Sequence, residues 1–137
     1  ISPSDAMQHV LGYAVGLDMT LRDLQSEAKK KGRPWTIAKG FDTSACVSEV
    51  LPKENLGNIM QQDVKLLVNG TVRQNGNTSD MIFDVGAIVS YVSRFFTLER
   101  GDLIYTGTPK GVGPVGTGDQ LQAVLGENLL TVHAKVG

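Results

Sequence analysis

The sequence predicts an α+β domain, and three local patterns support that class. Asn69-Gly70 stands between two alternating segments, Val64 to Val68 and Thr71 to Gln74, which is a strong signal for a type I′ β-hairpin. One further segment has helix start and stop signals, another has apolar residues at helical spacing, and two apolar strand candidates close the chain. We therefore expect one domain over residues 1–137, mostly β with two helices.

The composition excludes several classes of partner. The chain has 137 residues, 41% of them hydrophobic, and 13 basic against 14 acidic residues give a net charge of −1. This balance gives no reason to expect nucleic acid or an anionic membrane as a partner. No apolar run approaches the roughly 20 residues that span a bilayer. Cys46 is the only cysteine, which excludes an intramolecular disulfide and a cysteine-built metal site and favours a reducing, cytoplasmic compartment.

The first predicted helix runs from about Leu21 to Lys31. Thr20 with Asp23 three residues later has the pattern of a capping box, and a basic run ending in Gly32 is a typical helix stop. Asp18 lies just before this helix, at the expected end of a strand. The spacing places Arg22 and Gln25 on one helical face.

The second predicted helix begins after Asp84, which we expect to cap it. Its apolar face has helical spacing and consists of Val85, Ile88, Val89, Val92 and Phe96. The remaining segments are predicted as buried strands at Val10–Val15 and Leu103–Thr106, an ordered loop at Arg33–Pro52, a polar turn at Asn75–Asp80, and a closing strand pair at Leu121–Val124 and Leu129–Val136.

The glycine-rich segment from Gly107 to Asp119 has the appearance of a phosphate-binding loop, but its details argue against that. A Walker loop needs Ser or Thr after its lysine at the start of a helix, whereas Lys110 is followed by Gly111 and then by strand. A dinucleotide fingerprint also needs a following helix. Two interpretations stay open: a set of tight β-turns, or a loop whose threonines and N–H groups hold a carboxylate.

Three charged residues are candidates for chemistry, and each has an ordinary alternative. Asp18 is a metal-ligand candidate, although a lone aspartate there is more often a cap and one carboxylate makes a poor magnesium site. Arg22 is suited to a substrate carboxylate, but helix-surface arginines usually pair with a neighbouring acid. Lys39 lies among apolar and small residues, where a lysine can serve as a clamp for developing negative charge. Structural roles are favoured for the two histidines and the cysteine, His9, His133 and Cys46.

Three stretches in order resemble the fumarylacetoacetate hydrolase superfamily. The first is Gly12 to Gln25 and the second is Pro34 to Asp42. The third group begins at Asn69-Gly70 and ends with Thr106 to Gly113, which contains a Thr-Gly-Thr-Pro motif. Between them it includes Arg73-Gln74, Asn77 to Phe83, Thr97 to Glu99 and Gly101-Asp102. The chain is most similar to the small acylpyruvases and oxaloacetate decarboxylases. That resemblance implies a fold of mixed, rolled β-sheets with a few short helices, and a homodimer.

The resemblance also implies a site. In the family, Mg²⁺ or Mn²⁺ is held by three carboxylates, the third of which matches Asp18. The small 2-oxo acid substrate chelates the ion, which stabilises the enolate formed when a C–C bond breaks. Residues that match Arg22 and Gln25 face the substrate, the match to Lys39 lies beside the substrate oxygens, and the match to Thr108 contacts the substrate carboxylate.

The implied activity is acylpyruvate hydrolysis or oxaloacetate decarboxylation. The alternatives are an isomerase or hydratase of the same superfamily, and an inactive binding protein that kept the fold. The family's Glu-x-Glu metal ligands and its water-activating His/Glu pair have no match before Gly12, so we expect the chain to lack an N-terminal part and to be inactive alone. A cytoplasmic location is expected, or a mitochondrial one for a eukaryotic source.

Overall fold

The computed structural model describes residues 1–137, in which short helices and short strands are interspersed. The α-helices are α1 (Arg22–Lys30), α2 (Thr36–Lys39), α3 (Lys53–Leu56) and α4 (Val85–Ser93). The strands are β1 (Gly12–Tyr13), β2 (Gly16–Asp18), β3 (Ala45–Val47), β4 (Leu51–Pro52), β5 (Asp63–Val68), β6 (Thr71–Asn77), β7 (Gln120–Leu125) and β8 (Leu130–Lys135). Single 3₁₀ turns lie at Ala6–Gln8, Ile59–Gln61 and Thr78–Asp80.

The largest element is a four-stranded antiparallel sheet in the order β6-β5-β7-β8. The predicted hairpin is confirmed: Asn69 and Gly70 join β5 to β6 with φ of 50° and 78°, the left-handed conformation that a type I′ turn requires. The predicted closing strand pair is also confirmed, as β7 and β8. A register shift between Leu66 and Leu67 kinks the β5–β6 ladder.

Two short antiparallel ribbons accompany the sheet, β1 with β4 and β2 with β3. The single strand predicted over Val10–Val15 is wrong, because the chain changes its pairing partner in the middle of this region. Val15 lies between β1 and β2, and its N–H donates to Ser48 Oγ at 3.1 Å. The β2–β3 ribbon ends at the Asp18–Ala45 pair, so the prediction that Asp18 ends a strand is confirmed.

The hydrophobic core lies mainly against the four-stranded sheet. Its buried members come from β7, β8 and the end of β5, together with Val15, Leu17 and Leu56. A smaller cluster joins Ala6 to Val85 and Val89 on α4. Burying these side chains contributes roughly 25 cal/mol per Å² of apolar surface removed from water. The β2–β3 ribbon that carries Asp18 is therefore anchored to the main core through Leu17.

The first predicted helix is confirmed as α1, and Gly32 ends it with φ of 61°. Its predicted capping box is wrong. Leu21 is the N-cap residue and makes no side-chain cap, while the Thr20 hydroxyl donates to the Asp18 carbonyl at 3.3 Å. Because Thr20 bonds within the strand-to-helix turn, it does not reach the helix N–H groups.

The second predicted helix is confirmed as α4. Asp84 Oδ1 accepts a hydrogen bond from the Ala87 N–H at 2.7 Å, as expected of a cap. The helix ends at Ser93, however, and Phe96 is 68% exposed, so the predicted apolar face is one turn too long.

Three segments differ from their sequence-based expectations. Residues 33–52, predicted as a loop, contain α2, β3 and β4, which are too short to give a periodic signal. Residues 75–80, predicted as a turn, continue β6 to Asn77 and then form a 3₁₀ turn. Residues 103–106 are not a strand, and Leu103 is 57% exposed, because an apolar run does not by itself specify a pairing partner.

The α+β class is confirmed, with helices and strands in similar amounts. Every strand pair within the chain is antiparallel, whereas the resemblance implied mixed sheets. In the β5–β6 and β7–β8 hairpins the connections are too short to join parallel strands, which need a crossover of a dozen or more residues. None of the helices has the length and apolar character needed to cross a bilayer.

Candidate active site

Asp18 lies where β2 gives way to the turn before α1. Its strand is held by the β2–β3 ladder, and just beyond it the Met19 N–H donates to the Ser44 carbonyl at 2.8 Å. The Asp18 side chain is 48% exposed, so its carboxylate faces solvent from a fixed strand end. A carboxylate in this position is accessible to a cation or a small molecule.

Lys39 contacts Asp18 directly. Its Nζ lies 2.5 Å from Asp18 Oδ1 and donates to Thr20 Oγ1 at 2.9 Å. The lysine is the last residue of α2, which docks through buried Ala38, whose carbonyl accepts from the Leu21 N–H at 3.0 Å. The ammonium group is thus held in place by two oxygens, and the lysine side chain as a whole is one-third exposed. A fixed positive charge beside a carboxylate suits stabilisation of an anionic substrate oxygen.

Arg22 and Gln25 lie together in the first turn of α1, as their spacing predicts. Arg22 Nη1 donates to Gln25 Oε1 at 2.8 Å. Arg22 forms no ion pair, so the alternative that it pairs with a neighbouring acid is wrong. Most of its guanidinium N–H groups have no partner in the chain and are available to a carboxylate, which Arg binds in a two-pronged geometry.

The Thr-Gly-Thr-Pro motif packs against β6. Gln74, which is 7% exposed, donates from Nε2 to Thr108 Oγ1 at 2.9 Å and to the Pro109 carbonyl at 2.7 Å. A Cβ on Gly111 would lie 2.4 Å from the Arg73 carbonyl oxygen, so only glycine fits there. No local pattern marks Gln74 as a site residue. The signal that could have identified it is its place in the Arg73-Gln74 motif.

Tyr105 directly precedes this motif and packs on the strand pair that carries Asp18. Its ring packs on Gly16, where a Cβ would come within 2.8 Å of the ring carbon Cε1, and its hydroxyl lies 3.4 Å from the Cys46 carbonyl. Burial raises the pKa of Tyr105, and the negative charge of Asp18 adds to the effect. Tyr105 therefore lies within electrostatic reach of Asp18, three residues before Thr108. It was missed because residues 103–106 were assigned to a buried strand.

Asp18 is the metal-ligand candidate of this chain, and it does not lie in a cluster of ligands. No group of three or more His, Cys, Asp or Glu side chains is arranged to hold an ion. Mg²⁺ prefers six oxygen ligands in octahedral geometry. Asp18 therefore fits the role of a single ligand, while its neighbour Lys39 supplies a positive charge that opposes cation binding by Asp18 alone. Cys46 is a partly buried free thiol that contacts the Thr43 carbonyl.

Residues 1–136 match the family described as fumarylacetoacetate (FAA) hydrolase C-terminal. The chain belongs to the fumarylacetoacetate hydrolase family. It is 54% identical to the oxaloacetate tautomerase FAHD1, mitochondrial, of Bos taurus over 136 residues, which is 99% of this chain and 61% of that protein. It is 47% identical to the oxaloacetate decarboxylase, mitochondrial, of Dictyostelium discoideum, over 89% of this chain and 56% of that protein. The chain thus spans about three-fifths of the length of these family members.

Solved structures of the family share the fold. The fumarylpyruvate hydrolase of Pseudomonas aeruginosa, in complex with Mn²⁺ and pyruvate, is 43% identical with a TM-score of 0.94, over 99% of this chain and 58% of that one. The 2-hydroxyhepta-2,4-diene-1,7-dioate isomerase of Mycobacterium marinum is 39% identical with a TM-score of 0.89, over 99% and 51% of the two chains. The predicted fumarylacetoacetate-hydrolase-like fold is confirmed.

Proposed function

We propose that the protein carrying this chain is a divalent-metal-dependent enzyme that cleaves small 2-oxo acids, by acylpyruvate hydrolysis, oxaloacetate decarboxylation or both. The observation that carries this proposal is the 2.5 Å contact between Lys39 Nζ and Asp18 Oδ1 at an exposed strand end. This contact places a carboxylate, which is a common metal ligand, beside a fixed positive charge. The names of the decarboxylase and hydrolase relatives, and the Mn²⁺ and pyruvate bound in one of them, support the same chemistry.

Each proposed site residue has a defined task. Asp18 supplies one oxygen ligand to the ion, which when bound would polarise the 2-oxo group. Lys39 stabilises the negative charge that develops on the substrate oxygen as the C–C bond breaks. Arg22 and Thr108 bind substrate carboxylate oxygens, and Gln25 orients Arg22 through their 2.8 Å hydrogen bond. Mg²⁺ is the proposed physiological ion, with Mn²⁺ as a substitute.

A second candidate is keto–enol tautomerisation of oxaloacetate. It is favoured by the name of the mammalian relatives that are about 54% identical to this chain, oxaloacetate tautomerase. The same residues would bind the same substrate, but a proton would move between carbon and oxygen and no C–C bond would break. The charge on the substrate oxygen is common to both reactions, so Lys39 has the same task in each.

One assay separates these candidates. The full-length protein, meaning the longest natural polypeptide that carries this sequence, is incubated with oxaloacetate or acetylpyruvate and Mg²⁺ or Mn²⁺, and products are followed by NMR. Pyruvate formation above the metal-only rate supports cleavage. Faster keto–enol interconversion without loss of carbon supports the tautomerase. If neither change is seen, both candidates are rejected, and the remaining interpretation is a binding protein that kept the fold.

We also propose that the protein is a homodimer, as the family resemblance implies. If its source is eukaryotic, we propose a mitochondrial location, which the names of its relatives support. Light scattering during gel filtration tests the first point, and a mass of one polypeptide would reject it. Fractionation of the source cell tests the second.

A further inference from the structure

Gln74 is a buried polar residue with both amide hydrogens committed to one loop. It lies in β6 with 7% exposure, and its Nε2 is 2.9 Å from Thr108 Oγ1 and 2.7 Å from the Pro109 carbonyl oxygen. A carbonyl oxygen can only accept a hydrogen bond. The atom that faces Pro109 must therefore be the amide nitrogen, and this fixes the orientation of the whole amide.

This orientation determines what the Thr108 hydroxyl can do. A hydroxyl has one hydrogen and two acceptor lone pairs, and Gln74 occupies one of the lone pairs. Thr108 Oγ1 donates to no atom of the chain, and the residue is exposed. Its proton has no acceptor within the chain and is therefore available to an acceptor in solution.

The loop has little freedom to change this arrangement. A Cβ on Gly111 would lie 2.4 Å from the Arg73 carbonyl oxygen, and a Cβ on Gly76 would lie 2.7 Å from Pro109 Cβ. The loop therefore packs closely against β6 at two points, Gly111 and Gly76. The position of the Thr108 hydroxyl oxygen is therefore set by the fold before any ligand arrives.

We propose that Gln74 is a positioning residue that presents the Thr108 hydroxyl proton to a carboxylate of the substrate. The inference rests on the proposed function, because the acceptor is the carboxylate of a 2-oxo acid. A charged acceptor makes a stronger hydrogen bond than a neutral one, and the bond to Gln74 polarises the hydroxyl further. Because this bond exists in the ground state, its loss raises KM and leaves kcat nearly unchanged.

The test compares Gln74→Met, Thr108→Val and the double variant in the full-length protein. Isothermal titration measures the Kd of pyruvate in the presence of Mn²⁺, and oxaloacetate turnover gives KM and kcat. Each single variant should weaken pyruvate binding about tenfold, the effect of losing roughly one hydrogen bond. The double variant should bind no more weakly than Thr108→Val, because both changes remove one interaction. Gln122→Met, a partly buried glutamine of β7 in the same sheet, is the matched control and should bind like the wild type.

Two further measurements keep the test decisive if Gln74→Met folds poorly. Thr108→Ser should retain binding, because it keeps the hydroxyl. The Gln74 side-chain amide resonances should shift in ligand-free Thr108→Val. Three results would each overturn the inference and leave the proposed function standing. They are wild-type pyruvate affinity in well-folded Gln74→Met, additive losses of affinity in the double variant, and an unchanged Gln74 amide resonance in Thr108→Val. A wild-type protein that neither binds pyruvate nor turns over oxaloacetate would overturn the proposed function, and the inference with it.

Discussion

Asp18 is the residue on which metal binding should depend most. Asp18→Asn keeps the side-chain shape and removes the charge, so it should abolish most Mg²⁺-dependent activity of the full-length protein. The half-exposed pair with Lys39 contributes at most about 1 kcal/mol to stability, so the fold should remain intact. Isothermal titration with Mg²⁺ checks the prediction, and an unchanged metal affinity in the variant would defeat the assignment.

Lys39 should act mainly on the transition state. Its ammonium is held by Asp18 and Thr20, so it needs no reorganisation when charge develops on the substrate. Lys39→Met should lower kcat about 10²–10³-fold, the scale of losing one preorganised donor. Steady-state kinetics measure this directly. A variant that changes only KM would make Lys39 a plain binding residue.

At this scale the sequence identified candidates but not their contacts. Asp18 and Lys39 were selected separately, and their contact depends on how α2 docks on the turn before α1, which no local pattern specifies. The neighbouring positions of Arg22 and Gln25 were predictable, because helical periodicity alone brings them together. Gln74 and Tyr105 were missed because their importance comes from long-range packing against a loop and a glycine.

At the scale of elements, the close contact between the Thr-Gly-Thr-Pro loop and β6 makes Gly111 a sensitive position. Gly111 has φ of 102°, and a Cβ would lie 2.4 Å from the Arg73 carbonyl. Gly111→Ala should destabilise the fold by roughly 1–3 kcal/mol, the range for a strained backbone. Thermal unfolding followed by circular dichroism measures the loss. Gly113→Ala is the control, since its Cβ meets nothing within 4 Å, and equal melting temperatures for the two variants would contradict the prediction.

Asp119 ties the end of the glycine-rich segment to the β5–β6 hairpin. It accepts from the Gly116 N–H at 2.8 Å and from Asn69 Nδ2 at 2.7 Å, and these bonds hold its pKa below the usual 3.8. A lowered pKa in the folded state means that the ionised form is favoured by folding. Its stabilising effect is therefore complete above the unfolded pKa and is lost as pH falls through the folded one.

Asp119→Asn should consequently lower the melting temperature at pH 7 more than in strong acid. Melting curves of both proteins between pH 7 and pH 2 provide the comparison, with Asp80→Asn, an exposed acid without a side-chain hydrogen bond, as the control. If the melting temperatures of Asp119→Asn and the wild type differ by the same amount at every pH, the ionised Asp119 carboxylate does not have the stabilising role given to it.

The elements that sequence predicted well are those with strong local signals. The hairpin at Asn69-Gly70 has a turn that admits few residue types, α1 has a basic last turn followed by Gly32, and α4 has a helical period over two turns. The two- to four-residue elements between residues 33 and 52 are shorter than any period, so they could not be detected. Residues 103–106 were misassigned because Ile104 packs on the small cluster with Ala6 and Tyr105 packs on Gly16, and neither residue pairs in a sheet.

At the scale of the whole molecule, the proposed metal site takes one carboxylate, Asp18, from this chain and should need several ligands. Residues 1–137 expressed alone should therefore bind Mg²⁺ weakly and show no robust oxaloacetate decarboxylation with Mg²⁺ or Mn²⁺. Leu11 is 67% exposed although Val15 is buried, so some apolar surface is uncovered and should favour association. Robust turnover by the isolated 1–137 polypeptide would contradict this prediction, and would mean that acids other than Asp18 are catalytic.

The most direct test of the proposed site is a crystal structure of the full-length protein with Mg²⁺ and pyruvate. We expect an Asp18 oxygen about 2.0–2.1 Å from the ion, the distance typical of Mg²⁺ ligands, with Lys39 Nζ in hydrogen-bond contact with a pyruvate oxygen. An occupied metal site that excludes Asp18, with Lys39 turned to solvent, would contradict the proposed function.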